Sequence, residues 1–318
     1  MRNLGRFVFT IGAAALFAGC GPQGGTTLPH SVTLQSQAHK APGSYGDLLY
    51  VNFQGDGQFG IFTYPQGQQL ATVHMEAGAL CPDISGNVWV IKIDSIPYKF
   101  PRGGKKPIER LSNSHKDEYI VTDCSVDPTS GKLAVSTSGA IFIWQDVRHS
   151  HPAVYSIPFP FIATGCTWDN AGNLFVDGYE ESVDKLELYE LANGTSSFTK
   201  ISLDRPGWLG SEWSGMQWDG TYLALTTRPH KRRRSVVYRV NVSGGSGVVV
   251  QVVHFKDQFP GTDLFWLQDG TLIGPDVYHE SIGLWQYPKG GKPTQLIPLR
   301  EQGGITISVA PSRSRTRK

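Results

Sequence analysis

Along most of this chain short runs rich in apolar residues are separated by segments rich in Gly, Pro, Asn, Asp or Ser. Short apolar runs rich in β-branched and aromatic residues and bounded by turn residues predict strands. The clearest are Leu48–Phe53, Val88–Ile93, Leu133–Thr137, Leu174–Asp177, Tyr222–Thr226 and Leu272–Gly274. Each is followed by two more, as Ile141–Trp144 and Val154–Ile157 follow Leu133–Thr137. Four connections between those later strands share one form: Tyr64-Pro-Gln-Gly67, Phe100-Pro-Arg-Gly103, Leu191-Ala-Asn-Gly194 and Tyr287-Pro-Lys-Gly290. Where proline is present it sets φ at the first corner, and glycine takes the left-handed position.

A longer period lies over these runs. An apolar residue, a turn carrying Asp and Gly, and a β-rich run recur about every 42 to 50 residues. The copies begin at Cys81 (CPDISGNVWV), Cys124 (CSVDPTSGKLAV), Cys166 (CTWDNAGNLFV), Met216 (MQWDGTYLAL) and Phe265 (FWLQDGTLIG). Each unit thus has an inner strand a, an a–b turn, and strands b, c and d. A repeat of this length built from short strands predicts a β-propeller. Strands b, c and d occur in six units, but only five inner strands precede them. The missing one is supplied by Ile307-Ser-Val-Ala-Pro311, which aligns with Cys124-Ser-Val-Asp-Pro128. The expectation is all-β: a six-bladed β-propeller over residues 47–311, its first blade closed by the C-terminal strand. Such closure removes an exposed sheet edge.

These units resemble the NHL-type repeats of secreted bacterial propeller proteins. CSVDPTSGKLAV, CTWDNAGNLFVDG, MQWDGTYLAL and YPKGGKPTQLI in particular look like a group of uncharacterised bacterial lipoproteins with this blade pattern. The resemblance spans residues 47–311 and implies a fold more than an activity, because propellers host catalysis, binding and scaffolding alike.

The first residues change the picture from fold to address. Arg2 and Arg6 precede an uncharged run, Phe7–Phe17, of eleven residues, too short for a membrane span of about 20. It ends in Leu16-Phe-Ala-Gly-Cys20, which resembles a bacterial lipobox, so residues 1–19 are expected to be a signal peptide and Cys20 the lipidated residue. Residues 20–46 are rich in Gly, Pro, Gln, Ser and Thr and predict a flexible tether. The expected place is the bacterial cell envelope, lipid-anchored to the outer membrane or facing the periplasm. Loss of residues 1–19 removes two of 29 basic residues and none of 27 acidic ones, leaving net charge zero. That balance argues against nucleic acid as a partner. Residues 312–318 form a basic tail, and Arg228–Arg234 a basic loop.

The candidate chemistry is sparse. With Cys20 lipidated, Cys81, Cys124 and Cys166 align with Met216, Phe265 and Ile307, which predicts three buried thiols in equivalent slots, too far apart for a disulfide. Asp127, Asp169, Asp219 and Asp269 are expected to hold a–b turns by accepting backbone N–H groups. His149-Ser-His151 lacks a third ligand, so no metal site is assigned. The expected ligand face is where the d–a and b–c loops converge on the channel. It would use Asp123, Thr164, Glu212 and Asp263 with Asp177 and Asp276 for orientation, and Trp213 and Tyr179 for aromatic contact. The expected activity there is binding of a protein, peptide or saccharide without chemistry or cofactor. The alternative is a metal-dependent hydrolase resembling gluconolactonase-type propellers, with a divalent cation held by channel carboxylates. The chain lacks those enzymes' N-terminal Glu-Gly-Pro entry and their central Asn-Gly motif; its Asn193-Gly194 pair falls in a c–d turn.

Overall fold

A computed structural model describes residues 46–53, 57–115, 119–146, 151–156, 161–180, 185–204, 215–227, 236–256, 265–276, 281–298 and 307–310. These form strands and no helix. In chain order they are β1 (Leu48–Phe53), β2 (Gln58–Thr63) and β3 (Gln69–Val73); β4 (Ala79–Pro82), β5 (Val88–Ile91), β6 (Pro97–Phe100) and β7 (Glu109–Arg110). Then come β8 (Val121–Val126), β9 (Leu133–Thr137), β10 (Ala140–Trp144) and β11 (Ala153–Ser156); β12 (Phe161–Trp168), β13 (Leu174–Glu180), β14 (Lys185–Leu191) and β15 (Thr199–Leu203). The last are β16 (Met216–Trp218), β17 (Leu223–Thr227), β18 (Val236–Ser243) and β19 (Ser246–His254); β20 (Trp266–Gln268), β21 (Thr271–Asp276), β22 (Ser281–Gln286) and β23 (Gln295–Pro298); and β24 (Ile307–Ala310).

Antiparallel pairing of neighbours gathers β4–β7, β8–β11 and β20–β23 into four-stranded sheets. β12–β15 and β16–β19 are two such meanders, merged into one eight-stranded sheet where β15 runs parallel to β19 through Ser202 opposite Ser246 and Leu203 opposite Gly247. The first sheet has the order β24-β1-β2-β3: the C-terminal strand pairs with β1, Leu48 opposite Ala310 and Val51 opposite Ile307. The six b strands read from the sequence thus fall on β1, β5, β9, β13, β17 and β21, and the C-terminal strand pairs where the repeat placed it.

The sheets stand face to face like propeller blades, and this explains their composition. β9 and β10 are buried at every position, because each face of their sheet is covered by another sheet. One cluster joins β1 and β2 to β5 through Leu48, Tyr50, Phe59, Val88 and Val90; the next joins β4 and β5 to β8–β10 through Cys81, Trp89, Leu133 and Phe142. The inner strands touch in succession, β24 to β4, β4 to β8, β8 to β12 and β12 to β16, and β20 returns to β24. The four c–d turn glycines take the expected positive φ, from 70° to 81°. Two of the prolines differ from expectation, since Tyr64–Pro65 and Tyr287–Pro288 are cis.

Candidate functional site

An inner strand has a ladder partner on one side only, so its channel edge must be satisfied another way. The turn aspartates give the frame for seeing how. Asp83, Asp127, Asp169 and Asp219 each accept backbone N–H groups of their own a–b turn: Asp83 from Ser85 at 2.8 Å, Asp127 from Thr129 at 2.8 Å, Asp169 from Ala171 at 2.8 Å, Asp219 from Thr221 at 2.9 Å. This is the role expected of Asp127, Asp169 and Asp219. Asp269 and Gly270 form a tight corner in which both residues have positive φ. Two residues before the turn aspartate stand Ser125, Thr167 and Gln217. Ser125 Oγ accepts the Trp168 N–H of the next inner strand at 3.3 Å, Thr167 Oγ1 that of Trp218 at 3.1 Å, and Gln217 Oε1 that of Leu267 at 3.1 Å.

Cys81 occupies this same bridging position, and the expectation of three equivalent buried thiols is corrected here. Cys81 lies two residues before Asp83, whereas Cys124 and Cys166 lie three before Asp127 and Asp169. The register agrees: Leu80, not Cys81, faces Val90 as Cys124 faces Val135 and Cys166 faces Val176. A one-residue slip turns a side chain to the other face of its sheet. Cys81 therefore points forward to β8 while Cys124 points back, and the two form a disulfide with Cα atoms 5.8 Å apart. Cys166 is buried as a free thiol, its pKa pushed well up by burial and by the nearby Asp123.

Three residues expected at the ligand face meet at the other end of β12. A bulge between Ala163 and Gly165 sets Gly165 opposite Asp177. A Cβ on Gly165 would lie 2.8 Å from Asp177 Oδ1 and 3.6 Å from Asp123 Oδ2, so glycine lets both carboxylates approach the strand. Thr164 Oγ1 donates to Asp177 Oδ1 at 3.2 Å. Asp123 accepts from Cys124 N–H at 2.8 Å and across the seam from Cys166 N–H at 3.2 Å. Asp123 is half-buried as a residue, but its carboxylate is enclosed: burial pushes its pKa up to about 7 against those two bonds, and Asp177 adds to the rise. Asp177 belongs to a set the sequence reading missed. Asn52, Ser136, Asp177 and Thr226 are all fully buried, and each follows the apolar run that opens a b strand. Their partners are strand-entry groups: Asn52 Nδ2 donates to Ala77 O, Ser136 Oγ accepts from Thr122 at 3.0 Å, and Thr226 Oγ1 accepts Gly215 N–H at 2.9 Å. The signal is the polar residue closing YVN, AVS, FVD and ALT. Tyr179 is half-buried on β13 and Asp276 ends β21. Cys20, Glu212, Trp213 and Asp263 lie outside the described residues. Among the described residues no group of three or more His, Cys, Asp or Glu could hold a metal ion.

A cavity of about 890 Å³ occupies the end of the ring where the a–b turns lie, opposite the expected face. Its wall carries Trp168, Trp218 and Trp266 from β12, β16 and β20, the amides of Asn170, Gln217 and Gln268, and the Cys81–Cys124 bridge. On one side Asp219 Oδ2 accepts from Arg239 Nε at 2.7 Å and from the Tyr287 hydroxyl at 2.8 Å. Burial alone would raise the Asp219 pKa, but these bonds and those from its turn hold it below the usual range. Arg239 also donates to Gln251 Oε1 at 2.9 Å and lies 4.7 Å from the centre of the Tyr222 ring. A second hollow of about 400 Å³ shares Asp83 and Ile84 with the first.

Neither a protein-family profile nor a curated protein sequence matches the chain. Solved structures do. A chain of a nidogen/laminin complex is similar over 84% of this chain and 100% of its own, with TM-score 0.64 and 13% identity. A protein of unknown function from Bacteroides caccae is similar over 83% of this chain and 99% of its own, with TM-score 0.57 and 14% identity. The β-propeller domain of Cps50 (Swd1) from Myceliophteria thermophila is similar over 81% of this chain and 84% of its own, with TM-score 0.52 and 11% identity. At such identities the likeness establishes a β-propeller fold and nothing about ligands.

Proposed function

We propose that this chain is a six-bladed propeller, lipid-anchored through Cys20 outside the cytoplasm, that binds a ligand in its central cavity without chemistry. The blade count is supported by the split of the eight-stranded sheet into two meanders, each with the a–b–c–d order of the other four sheets. The NHL-type assignment rests on the repeat phrases alone. Export is supported by the Leu16–Cys20 motif and by the Cys81–Cys124 bond, since disulfides persist in oxidising compartments.

The observation that carries the binding role is the cavity of about 890 Å³ walled by three tryptophans and three amides. Its size lies in the range of small-ligand sites, and its wall mixes aromatic surface with a few polar groups, as such sites do. The test is a screen of the purified chain against peptide and glycan arrays, repeated with Gln268→Trp and Asn170→Trp, which crowd the cavity. A ligand captured by wild type and lost by both variants is expected. Capture that neither variant weakens would put the ligand elsewhere. For the anchor, Cys20→Ser should move the chain from the membrane to the soluble fraction, and an N-terminal peptide of the wild type without acyl mass would refute lipidation.

A further inference from the structure

We infer that the cavity takes a neutral oligosaccharide; the inference rests on the binding role just proposed and narrows it to one ligand class. The first ground is charge. Four charged residues line the cavity, Asp83, Asp219, Arg239 and Asp269. Asp83 is paired with Lys99 at 3.0 Å, Asp219 with Arg239, and Asp269 accepts the Gln268 amide at 3.1 Å. An ionic ligand would have to compete with these contacts, whereas a neutral one leaves them in place.

The second ground is the backbone. One general way for an extended peptide to bind is by adding to an open strand edge. Here the N–H groups of Trp168, Trp218 and Leu267, which the inner strands would offer, are already held by Ser125, Thr167 and Gln217. The wall is left to recognise its ligand by side chains.

The third ground is what those side chains offer. The half-buried indoles of Trp218 and Trp266 offer surface that suits the C–H faces of sugar rings, and amides both donate to and accept from hydroxyls. The adjoining hollow, reached past Asp83 and Ile84, gives a linear occupant room to continue.

The experiment uses the full chain, with cellohexaose, chitohexaose, maltohexaose and an array of neutral glycans as uncharged probes. Heparin and polygalacturonate serve as charged probes, and a peptide array is run beside them. Binding is followed by calorimetry and tryptophan fluorescence. At least one neutral glycan should bind, with an affinity nearly independent of salt. Asn170→Ala combined with Gln268→Ala should weaken it about tenfold, two lost hydrogen bonds' worth. Trp218→Ala should weaken it further, and the amide pair keeps the test valid if that variant misfolds. Binding of charged polymers alone, falling steeply with salt, would overturn the inference, as would silence of every neutral glycan. A peptide captured in the cavity would sink the sugar and leave the binding role standing. If neither array yields a ligand, both fail.

Discussion

Two seams of this ring use one position in different ways. Between β4 and β8 the residue two before the turn aspartate is Cys81, which reaches the next inner strand through a covalent bond to Cys124. Between β8 and β12 the same position is Ser125, which reaches it through one hydrogen bond of 3.3 Å to Trp168 N–H. The comparison teaches that the position exists to bridge inner strands whose channel edges lack ladder partners. The chemistry of the bridge is free to vary, and with it the strength of the seam. A third seam goes further, because the first sheet has no inner strand until β24 arrives from the end of the chain.

That third seam should break hardest. Deleting residues 304–318 leaves the edge of β1 open and strips one face of its ladder, whereas deleting Ser312–Lys318 spares β24. The longer deletion should remove several of the roughly 5–15 kcal/mol that hold a typical domain, and should promote association through the open edge. Thermal melting and size exclusion compare the two, and equal melting temperatures would mean that β24 does not close the ring.

The covalent seam comes next. The Cys81–Cys124 bond spans 43 residues, for which loop-entropy arguments give about 4 kcal/mol. Cys81→Ala should lower stability by up to that amount, and a reductant should bring the wild type down to the same level. Unchanged melting in Cys81→Ala would show that the covalent bridge adds nothing to its seam.

The non-covalent seam can then be converted. Ser125 stands to Cys166 as Cys81 stands to Cys124, since Ser125 and Cys81 share one slot and Cys166 and Cys124 the other. Ser125→Cys should therefore oxidise to bond Cys166, with a mass loss of two hydrogens and a gain of about 2 kcal/mol or less, because native packing was not built for it. Mass spectrometry of the intact variant, and of its peptides, decides. Two free thiols in oxidised protein would contradict the shared geometry.

The sequence pattern placed most of these strands and turns, and failed at one residue for a physical reason. The apolar runs located β1 and β9 to the residue, because both faces of these strands are covered and the runs end sharply. Aligning on cysteine rather than on the turn aspartate put Cys81 in the slot of Leu80. The turns after Asp83 and Asp169 have the same length, closing onto Asn87 and Asn173, so counting back from the aspartate puts Leu80, and not Cys81, in the slot of Cys166. A disulfide was hidden by that one-residue difference. The candidate site was less legible still. Trp168 and Trp218 continue the apolar alternation of their strands, so nothing local separates a cavity wall from core. Asp123 and Asp177, singled out as carboxylates, turn out to hold backbone and a strand-entry threonine.

Proton uptake offers a smaller, reversible way to test the seam between β8 and β12. Asp123 bridges it, and its folded pKa of about 7 lies above the unfolded value of about 3.9. The folded state then keeps its proton where the unfolded state has lost it, so this group makes stability fall as pH rises from about 4 to about 7 and level off above. Asp127 and Asp219 act in the opposite sense. Hydrogen bonds hold their pKa values low despite burial, so their contribution is present above the ordinary carboxylate range and is lost as pH falls through their lowered values. Melting curves from pH 4 to 8 (roughly the span of the Asp123 shift) should show a decline that Asp123→Asn flattens. An identical slope in the variant would assign the decline to another group.

The smallest expected effect belongs to the seam between β12 and β16, where Thr167 Oγ1 accepts the Trp218 N–H at 3.1 Å. Thr167→Val keeps the β-branched shape and removes the acceptor. Val fits a strand as well as Thr does, so the change isolates one bond. A side-chain to backbone hydrogen bond is worth about 0.5–1.5 kcal/mol net, and the orphaned N–H keeps the loss from vanishing. The variant should melt a few degrees lower at most. It should also exchange the Trp218 amide hydrogen faster, with Val126 and Leu267 on the flanking inner strands unaffected. Ser125→Ala should do the same one seam earlier, at the Trp168 amide. Hydrogen exchange read at single residues separates the two variants. If each speeds exchange only at its own partner, the bridges act independently around the ring. If either loosens every inner strand, the ring responds as a unit, and the covalent bond between β4 and β8 then stabilises seams it does not touch.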